Sequence, residues 1–439
     1  MTRSRPPSRP LRRIVFAHKN FPAQFGAFGE WLAEQGREVV FLTQRAGAAH
    51  PTIRVVASAD HRAPAEATHR YLKGFEAGVI TAQAFARAGA GLRAEGFVPD
   101  VVMAHAGWGA GTFLKDVWPE ALSVPYFEWY YTWPHPDRTP EDGPMGDPLD
   151  SRARTRIRNA PLWADFSTGD RALCPTRFQA SQFPAFMRER LTVMHDGVDT
   201  DLHSPGDPPA GPGRDRRILD RWGVPRDAEV VTSITRGMEP HRGFPETLRA
   251  IAELQRRRPR LHALVGGEDR VAYGARLPEG ESWKARMLAE LDLDLSRLHF
   301  TGLMSRQDMV AVMRASDAHV YLTVPFVLSW SLLDAMSTGC LIVASDTPPV
   351  REFLEDRVSG LLVPPHDVAA LVARLETALD AGTGDGAGLG ALRARARAKV
   401  TGELDARRVI WPRKLAWLEA ALATPDPGRA GADPRRRRR

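Results

Sequence analysis

The stretch Tyr321–Val350, YLTVPFVLSWSLLDAMSTGCLIVASDTPPV, narrows the possible folds sharply. Val320–Thr323 and Leu341–Ala344 are short apolar runs of the kind that form strands covered on both faces. Between them the sequence predicts a helix that starts at Ser329, Trp330 and Ser331, which offer capping hydroxyls and free backbone N–H groups, and stops at Gly339. Asp334 is the acid on this otherwise apolar helix. Strand, loop, helix and strand in this order predict a parallel sheet. A helix N-terminus at the carboxyl end of such a strand is where α/β folds bind phosphate. An acid one turn further on is placed to hold a ribose, so the stretch points to a nucleotide site.

The same alternation runs through the whole chain. Strands are predicted at Arg13–Ala17, Glu38–Leu42, Ile53–Val56, Val101–Ala104, Leu122–Phe127, Ala172–Pro175 and Leu191–Met194, with helices near Ala27–Gln35 and Ala77–Gly96. A second set follows: strands at Glu229–Ile234, Leu261–Val265 and His299–Thr301, and helices at Phe244–Arg257, Arg306–Ala315 and Asp367–Asp380. Leu202–Asp215, LHSPGDPPAGPGRD, is polar, Pro/Gly-rich and aperiodic, and reads as a linker. Ala381–Gly390 reads as a flexible loop, and Glu403–Leu422 as an amphipathic C-terminal helix. The expected division is 13–200, a linker at 201–215, 216–402, a helix at 403–422, and basic tails without structure at 1–12 and 423–439. Two α/β domains with a ligand cleft between them are the expected architecture.

Composition removes one competing class. The net charge of +7 looks like that of a nucleic-acid binder, but Arg3, Arg5, Arg9, Arg12, Arg13 and Arg435 to Arg439 supply ten positive charges. The remaining 50 basic residues face 53 acidic ones, so the body of the chain is slightly acidic and no specific nucleic-acid partner is expected. The basic ends leave peripheral contact with an anionic membrane open. Cys174 and Cys340 lie in apolar contexts and read as buried thiols of a reducing compartment. The arginines before residue 13 precede no apolar core of a secretory signal, and no apolar run spans a bilayer. A cytoplasmic protein is the expectation, with contact at the inner membrane face left to its tails.

Ser233–Phe244, SITRGMEPHRGF, follows a predicted strand directly. Arg236 and Arg242, with Gly237 and Gly243 freeing the backbone, can converge on a diphosphate, for which guanidinium forks are geometrically suited. The plainer reading is a surface loop with solvated arginines. The sequences TRGMEPHRGF, YLTVPFVLSWSLLDAMSTGCLIVASDTPPVREFL and SGLLVPP together resemble the C-terminal domain of family 4 (group 1) glycosyltransferases of GT-B architecture. AHAGWGAGTFLKDVWP, ALCPTRFQASQFP and MHDGVDTDLHSP resemble the N-terminal domain of the same family. The resemblance covers most of residues 13–420.

The resemblance implies two Rossmann-like parallel-sheet domains facing across a cleft, the first on the acceptor side and the second on the donor side, with the C-terminal helix crossing back to the first. It implies transfer of a sugar from a nucleotide-diphosphate sugar to a glycan, lipid-linked or small-molecule acceptor. Retention of configuration, no cofactor and no essential metal are part of the same implication. Arg236 falls on the family's first diphosphate-binding arginine. Arg242 falls where most members have lysine, with one extra residue of spacing. Asp334 falls on the second acid of the Glu-x7-Glu pattern, which holds the ribose. The first acid is replaced by Phe326, so a carboxylate that reads the donor sugar is missing. Ser329 and Ser331 are candidate replacements as well as ordinary helix caps. His105 falls on the histidine that lies near the donor sugar and contributes to catalysis.

The remaining candidates are placed by loop position. Gly107 beside His105 lets a ligand approach the backbone, and Trp108 is either a cleft residue or core. His18, Lys19 and Asn20 lie in the first loop, which lacks the glycines of a dinucleotide-binding turn. Glu128 is the acid of the aromatic run Phe127–Pro134, whose rings stack on sugar or fill the core. Gly267 and Met304 belong to loops that line the base side of the nucleotide in similar proteins. Gly197 and Asp199 read as hinge residues. Two rival functions stay open at this point: a nucleotide-sugar epimerase or hydrolase, and a noncatalytic nucleotide-sugar-binding protein of the same fold.

Overall fold

The computed structural model describes residues 9–144, 146–206, 215–380 and 388–424. It forms two compact units. Unit 1 takes residues up to Trp133, then 145–196, and the chain from Arg407 onward, while unit 2 takes Pro134–Pro144 and Gly197–Ala406. The segment Pro134–Pro144 therefore groups with unit 2 although both its neighbours in sequence belong to unit 1, and so do Gly197–Thr200.

Unit 1 is built on seven strands: β1 (Arg13–Ala17), β2 (Glu38–Thr43), β3 (Arg54–Ala57), β4 (Val101–His105), β5 (Leu122–Tyr126), β6 (Ala172–Cys174) and β7 (Leu191–Val193), in the order β3-β2-β1-β4-β5-β6-β7. Their pairings are parallel throughout. The reason lies in the strand sequences. RIVFA and VVMAH are covered on both faces, and only a sheet sandwiched by helices buries such runs. The long helix Lys73–Ala94 covers one face through Phe85 and Leu92, and Gly89 leaves room for the fully buried ring of Trp118.

Unit 2 has six strands: β8 (Glu229–Gly237), β9 (Leu261–Glu268), β10 (Leu298–Gly302), β11 (Ala318–Tyr321), β12 (Ile342–Ser345) and β13 (Leu361–Val363), in the order β10-β9-β8-β11-β12-β13, again parallel. Helix Phe244–Arg257 follows the residue limits predicted for it. Gly243 precedes it in the left-handed region (φ 63°), and an added Cβ there would lie 2.3 Å from Leu322 Cβ. Helix Trp330–Thr338 starts at Ser329, whose Oγ accepts the Ser331 N–H, and ends at left-handed Gly339.

Several expectations are corrected. The tail 1–12 is structured from residue 9: Leu11 is buried, and Arg9 donates to Asp100 at 2.8 Å. The helix 403–422 is two elements: Leu389–Glu403 ends there, a five-residue π turn spans Ala406–Ile410, and Trp411–Ala423 begins with Pro412 in its first turn. Proline is tolerated in that position because its missing N–H would be unbonded anyway. The loop 381–390 therefore closes by Leu389, and its residues 381–387 lie outside the described residues, as do 1–8, 207–214 of the linker, and 425–439. Helices Pro148–Arg158 and Ala160–Thr168 are additional, the first capped by Asp147, whose Oδ1 accepts the Leu149 N–H at 3.0 Å. Both cysteines are buried free thiols. No helix among the described residues is long and apolar enough to cross a membrane.

The last helix is fastened to unit 1 by a buried polar knot. Tyr126 Oη donates to Asp196 Oδ2 at 2.9 Å, Trp411 Nε1 donates to the Asp196 carbonyl at 3.0 Å, and Lys414 Nζ lies 3.7 Å from Asp196 Oδ1. Burial pushes the Lys414 ammonium down, opposed by Asp196. Lys414→Met leaves the Asp196 charge buried without its cation, and the expected cost is about 3 kcal/mol, the scale for breaking a buried pair. Urea unfolding of wild type and variant measures it; equal midpoints would show that the pair contributes nothing.

Candidate functional site

The sequence-selected residues gather at the carboxyl edges of the two sheets, one group in each unit. In unit 1, β4 ends in His105, whose side chain is 3% exposed. Its Nδ1 lies 3.0 Å from the Ala106 carbonyl and donates to it, which leaves Nε2 facing Glu128 Oε2 at 3.5 Å without a hydrogen bond. Trp108 stacks on the imidazole (centroids 4.0 Å apart, 12° between planes), and His18 meets His105 edge-on at 5.0 Å. Trp108 is 38% exposed rather than core.

His18 is buried; its Nδ1 lies 2.8 Å from the Asn20 N–H and 3.0 Å from the Asn20 carbonyl, which serve the two tautomers of the ring, and its Nε2 has no hydrogen-bond partner among the described residues. Burial, then the neighbouring His105, pulls its pKa down to about 3. Burial alone would push the Glu128 carboxyl up, but His105 and Gln24 outweigh it and hold the group below its usual range. Gln24 Nε2 donates to Glu128 Oε1 at 2.9 Å. The other rings of the 127–134 run are largely core, with Phe127 against Phe166 and Phe183, and Trp129 against Phe178.

Asp165, which the sequence did not single out, pins the loop after His105. Its Oδ2 accepts the Gly107 N–H at 2.7 Å and its Oδ1 the Thr112 hydroxyl at 2.6 Å. Burial raises this carboxyl to about 6 despite both donors.

In unit 2, β8 carries its pairing on to Gly237, with a register shift after Ile234, so Arg236 sits at the strand's end rather than in a loop. The two arginines are treated very differently. Arg236 is exposed and makes no hydrogen bond or ion pair with the described residues. Arg242 is 5% exposed; its Nη1 donates to Thr323 Oγ1 at 2.8 Å and its Nη2 to the Val327 carbonyl at 3.0 Å. Its guanidinium lies 5.1 Å from the Tyr273 ring and 5.9 Å from the Phe326 ring. Phe326, at the expected place of an acid, thus packs against a cation. Gly237 is held close to a neighbouring loop: a Cβ there would lie 2.6 Å from the Arg270 carbonyl oxygen and from Glu239 Oε2. Glu239 itself is fully buried, accepts the Ala272 N–H, and is pushed up by burial. Gly267 (φ 139°) approaches the Thr235 carbonyl, and Met304 packs over Gly266.

Ser329 and Ser331 bond each other (Oγ–Oγ 3.0 Å) and cap their helix, while Trp330 is 40% exposed. Asp334 meets a residue the sequence did not flag. His203 Nε2 lies 3.6 Å from Asp334 Oδ1, and both side chains are largely buried. His203 Nδ1 has no partner. Burial raises Asp334 to about 7, countered by Arg306 and reinforced by Asp199. Asp199 also accepts the Leu202 N–H at 3.0 Å, and Gly197 packs against Ala406. No group of three or more His, Cys, Asp or Glu side chains suited to a metal occurs among the described residues.

A carboxyl whose folded pKa is raised costs stability above that pKa and loses the cost as pH falls towards its unfolded value near 4. Asp334→Asn is therefore expected to raise Tm by about 3 °C at pH 8, with the gain shrinking as pH falls below 7 and vanishing only below about 4, where the carboxyl is protonated in the folded and unfolded states alike. His203, lowered to about 4 by burial, is common to both proteins and leaves the difference intact. Calorimetry across this range checks the sign; a gain that grows towards acid would contradict it.

Comparison with known proteins agrees with this geometry. Residues 35–203 match the model of the "Glycosyl transferase family 4 group" and residues 228–381 that of "Glycosyl transferases group 1". Among curated relatives, the D-inositol 3-phosphate glycosyltransferase of Corynebacterium efficiens is 32% identical over 195 residues, 44% of this chain and 43% of that protein. The enzyme of that name from Mycolicibacterium smegmatis is 28% identical over 214 residues, 48% of this chain and 45% of that protein. The chain thus spans less than half the length of the curated relatives it matches. Among solved structures, a glycosyltransferase from Rickettsia africae superposes with a TM-score of 0.65 at 13% identity, covering 94% of this chain and 99% of the other. Anabaena HepE in complex with UDP-glucose gives 0.65 at 17% identity, covering 92% and 98%. Two parallel-sheet units, both family models and these structural neighbours together make the chain a member of the family 4, group 1 glycosyltransferases, with the GT-B fold.

Proposed function

We propose that the protein transfers a sugar from a nucleotide-diphosphate sugar to a hydroxyl-bearing acceptor, with retention of anomeric configuration. The observation that carries this reading is the pair of arginines at the end of β8. One is bare, and the other is braced across two loops by Thr323 and Val327. Departure of a nucleoside diphosphate places growing negative charge on its β-phosphate, and positioned cations stabilise that charge most where water is scarce. Arg242 is preorganised for this task, and Arg236 has its full donor set to offer. We assign the neutralisation to these side chains rather than to a metal cofactor. The names of the curated relatives and the UDP-glucose held by HepE support a nucleotide-sugar donor.

The other roles follow from the same geometry. Asp334 takes the ribose hydroxyls, for which a carboxyl one turn into the helix has the reach. His105 offers Nε2 to a sugar hydroxyl, with Glu128 and Trp108 fixing the ring. None of the candidate carboxylates in unit 2 is assigned as a nucleophile. In our scheme the acceptor oxygen bonds the anomeric carbon on the face the leaving group departs from. The bond to the diphosphate oxygen breaks, and that oxygen takes the acceptor's proton.

Arg236→Ala removes an exposed, unpartnered group, so folding should be unchanged while UDP affinity drops about tenfold, or ~1.4 kcal/mol. Titration calorimetry with UDP reads this, and undiminished affinity would sink the diphosphate role. Phe326→Glu sets a carboxylate beside Arg242. A panel of nucleotide sugars, scored by release of free nucleotide, should show a changed donor preference; an identical ranking would mean that the position does not face the sugar.

A further inference from the structure

At the carboxyl edge of unit 1 the loops after β1, β2 and β4 border an open cavity of about 450 Å³ lined by Lys19, Asn20, Gln44, Arg45 and Trp108. The first two loops are locked together. Thr43 Oγ1 and the Gln44 N–H both donate to the Lys19 carbonyl at 3.0 Å. This fixes the backbone that carries both cations.

Neither cation is neutralised. Lys19 is half-buried, yet its ammonium forms no hydrogen bond or ion pair with the described residues, and the exposed guanidinium of Arg45 forms none either. The acid nearby is Asp60, and it is already engaged: Gln44 Nε2 donates to its Oδ1 at 2.5 Å and Thr81 Oγ1 to its Oδ2 at 3.2 Å. A partly desolvated ammonium without a counter-charge costs free energy, and here burial lowers its pKa, opposed by Asp60. A bound anion would remove that cost. Trp108 completes the cavity with an exposed ring whose other face stacks on His105. The cavity therefore joins an anion-seeking end to an aromatic wall that leads to the buried histidines.

We infer that this cavity takes an acceptor that is a small hydroxylated molecule bearing an anionic group, a phosphate ester or a carboxylate, clasped between Lys19 and Arg45 with its carbon skeleton against Trp108. The inference rests on the glycosyltransferase reading for the word acceptor, but the anion site itself stands on the cavity and its two bare cations. Guanidinium and ammonium together suit either oxyanion.

The test is protection of Lys19 in the full chain against an amine-acylating reagent, followed by mass spectrometry, with exposed Lys73 as internal reference. For a Kd of about 1 mM, about 10 mM inorganic phosphate should slow Lys19 acylation roughly tenfold and leave Lys73 unchanged. Acetate in a parallel arm distinguishes the sources. Protection by phosphate alone supports a phosphate ester, and protection by acetate as well supports a carboxylate. Arg45→Gln, a surface change that leaves the fold intact, should abolish most of the protection. Protection by neither anion, protection equalled by chloride at the same ionic strength, or protection that survives Arg45→Gln overturns the inference. UDP titration of the same sample separates the two claims. Retained UDP binding without Lys19 protection overturns the anion site alone, and Lys19 protection without UDP binding or sugar transfer overturns the transferase reading alone.

Discussion

Asp196 is the residue on which the chain's path depends. It is the last residue of unit 1 before the chain enters unit 2, and its carboxylate and carbonyl are gripped by Tyr126, Trp411 and Lys414. Two of these belong to the segment that returns to unit 1 more than two hundred residues later. One residue on, the outgoing and returning segments pair within unit 2: the Val198 N–H donates to the Leu404 carbonyl and the Ala406 N–H to the Val198 carbonyl, both at 2.8 Å. Gly197 permits this, because a Cβ there would stand 2.7 Å from Ala406 Cα. A buried ion pair is weak evidence for stability in itself, since its desolvation offsets much of its Coulombic gain. What it enforces is register, because only one arrangement of the last helix satisfies Asp196.

Parallel sheets then decide where chemistry can sit. Strands buried on both faces have no exposed side chains to offer, so polar groups collect where each strand gives way to its loop. Lys19 follows β1, Arg45 follows β2, His105 closes β4 and Glu128 follows β5, while Arg236 stands near the end of β8, Gly267 near the end of β9 and Phe326 after β11. Three of these positions are held by a carboxylate or amide set back from the edge. Asp165 holds the loop after β4, Gln24 holds Glu128, and Glu239 ties the end of β8 to the 270–273 loop. These supporting groups are what give the edge groups defined positions.

The strands and the first-rank candidates were legible because both leave periodic or local signals. Apolar runs bounded by Pro, Gly and Asp marked most of the thirteen strands to within a residue or two, and SITRGMEPHRGF announced its arginines by following one of them. In two of the helices that escaped notice, charge masks the periodicity. RARTRIR in the helix Pro148–Arg158 and RARARAK in Leu389–Glu403 leave only sparse apolar positions, and the second is recognisable afterwards by Leu389, Leu392, Ala396 and Val400. Supporting residues left no signal at all. Asp165 lies 53 residues from Thr112, and His203 more than a hundred from Asp334, so only the fold brings them together. Phe326 shows the other side of this limit: its substitution for an acid was visible in the sequence, but its place beside Arg242 and Tyr273 was not.

The cations at these edges divide into two kinds, and the division tracks their surroundings. Arg242 is sheathed by aromatic rings and bonded to Thr323 and Val327, so its charge is retained while its motion is lost. A carboxylate at position 326 would have cancelled that charge; an aromatic ring only shields it, because cation–π attraction leaves the guanidinium able to act on a second anion. Arg236, Lys19 and Arg45 instead form no side-chain hydrogen bond or ion pair with the described residues. Cations kept bare at the carboxyl ends of strands are places where the fold holds positive charge in reserve. Of the three, half-buried Lys19 gains most from a bound anion, since part of its desolvation has already been met by folding.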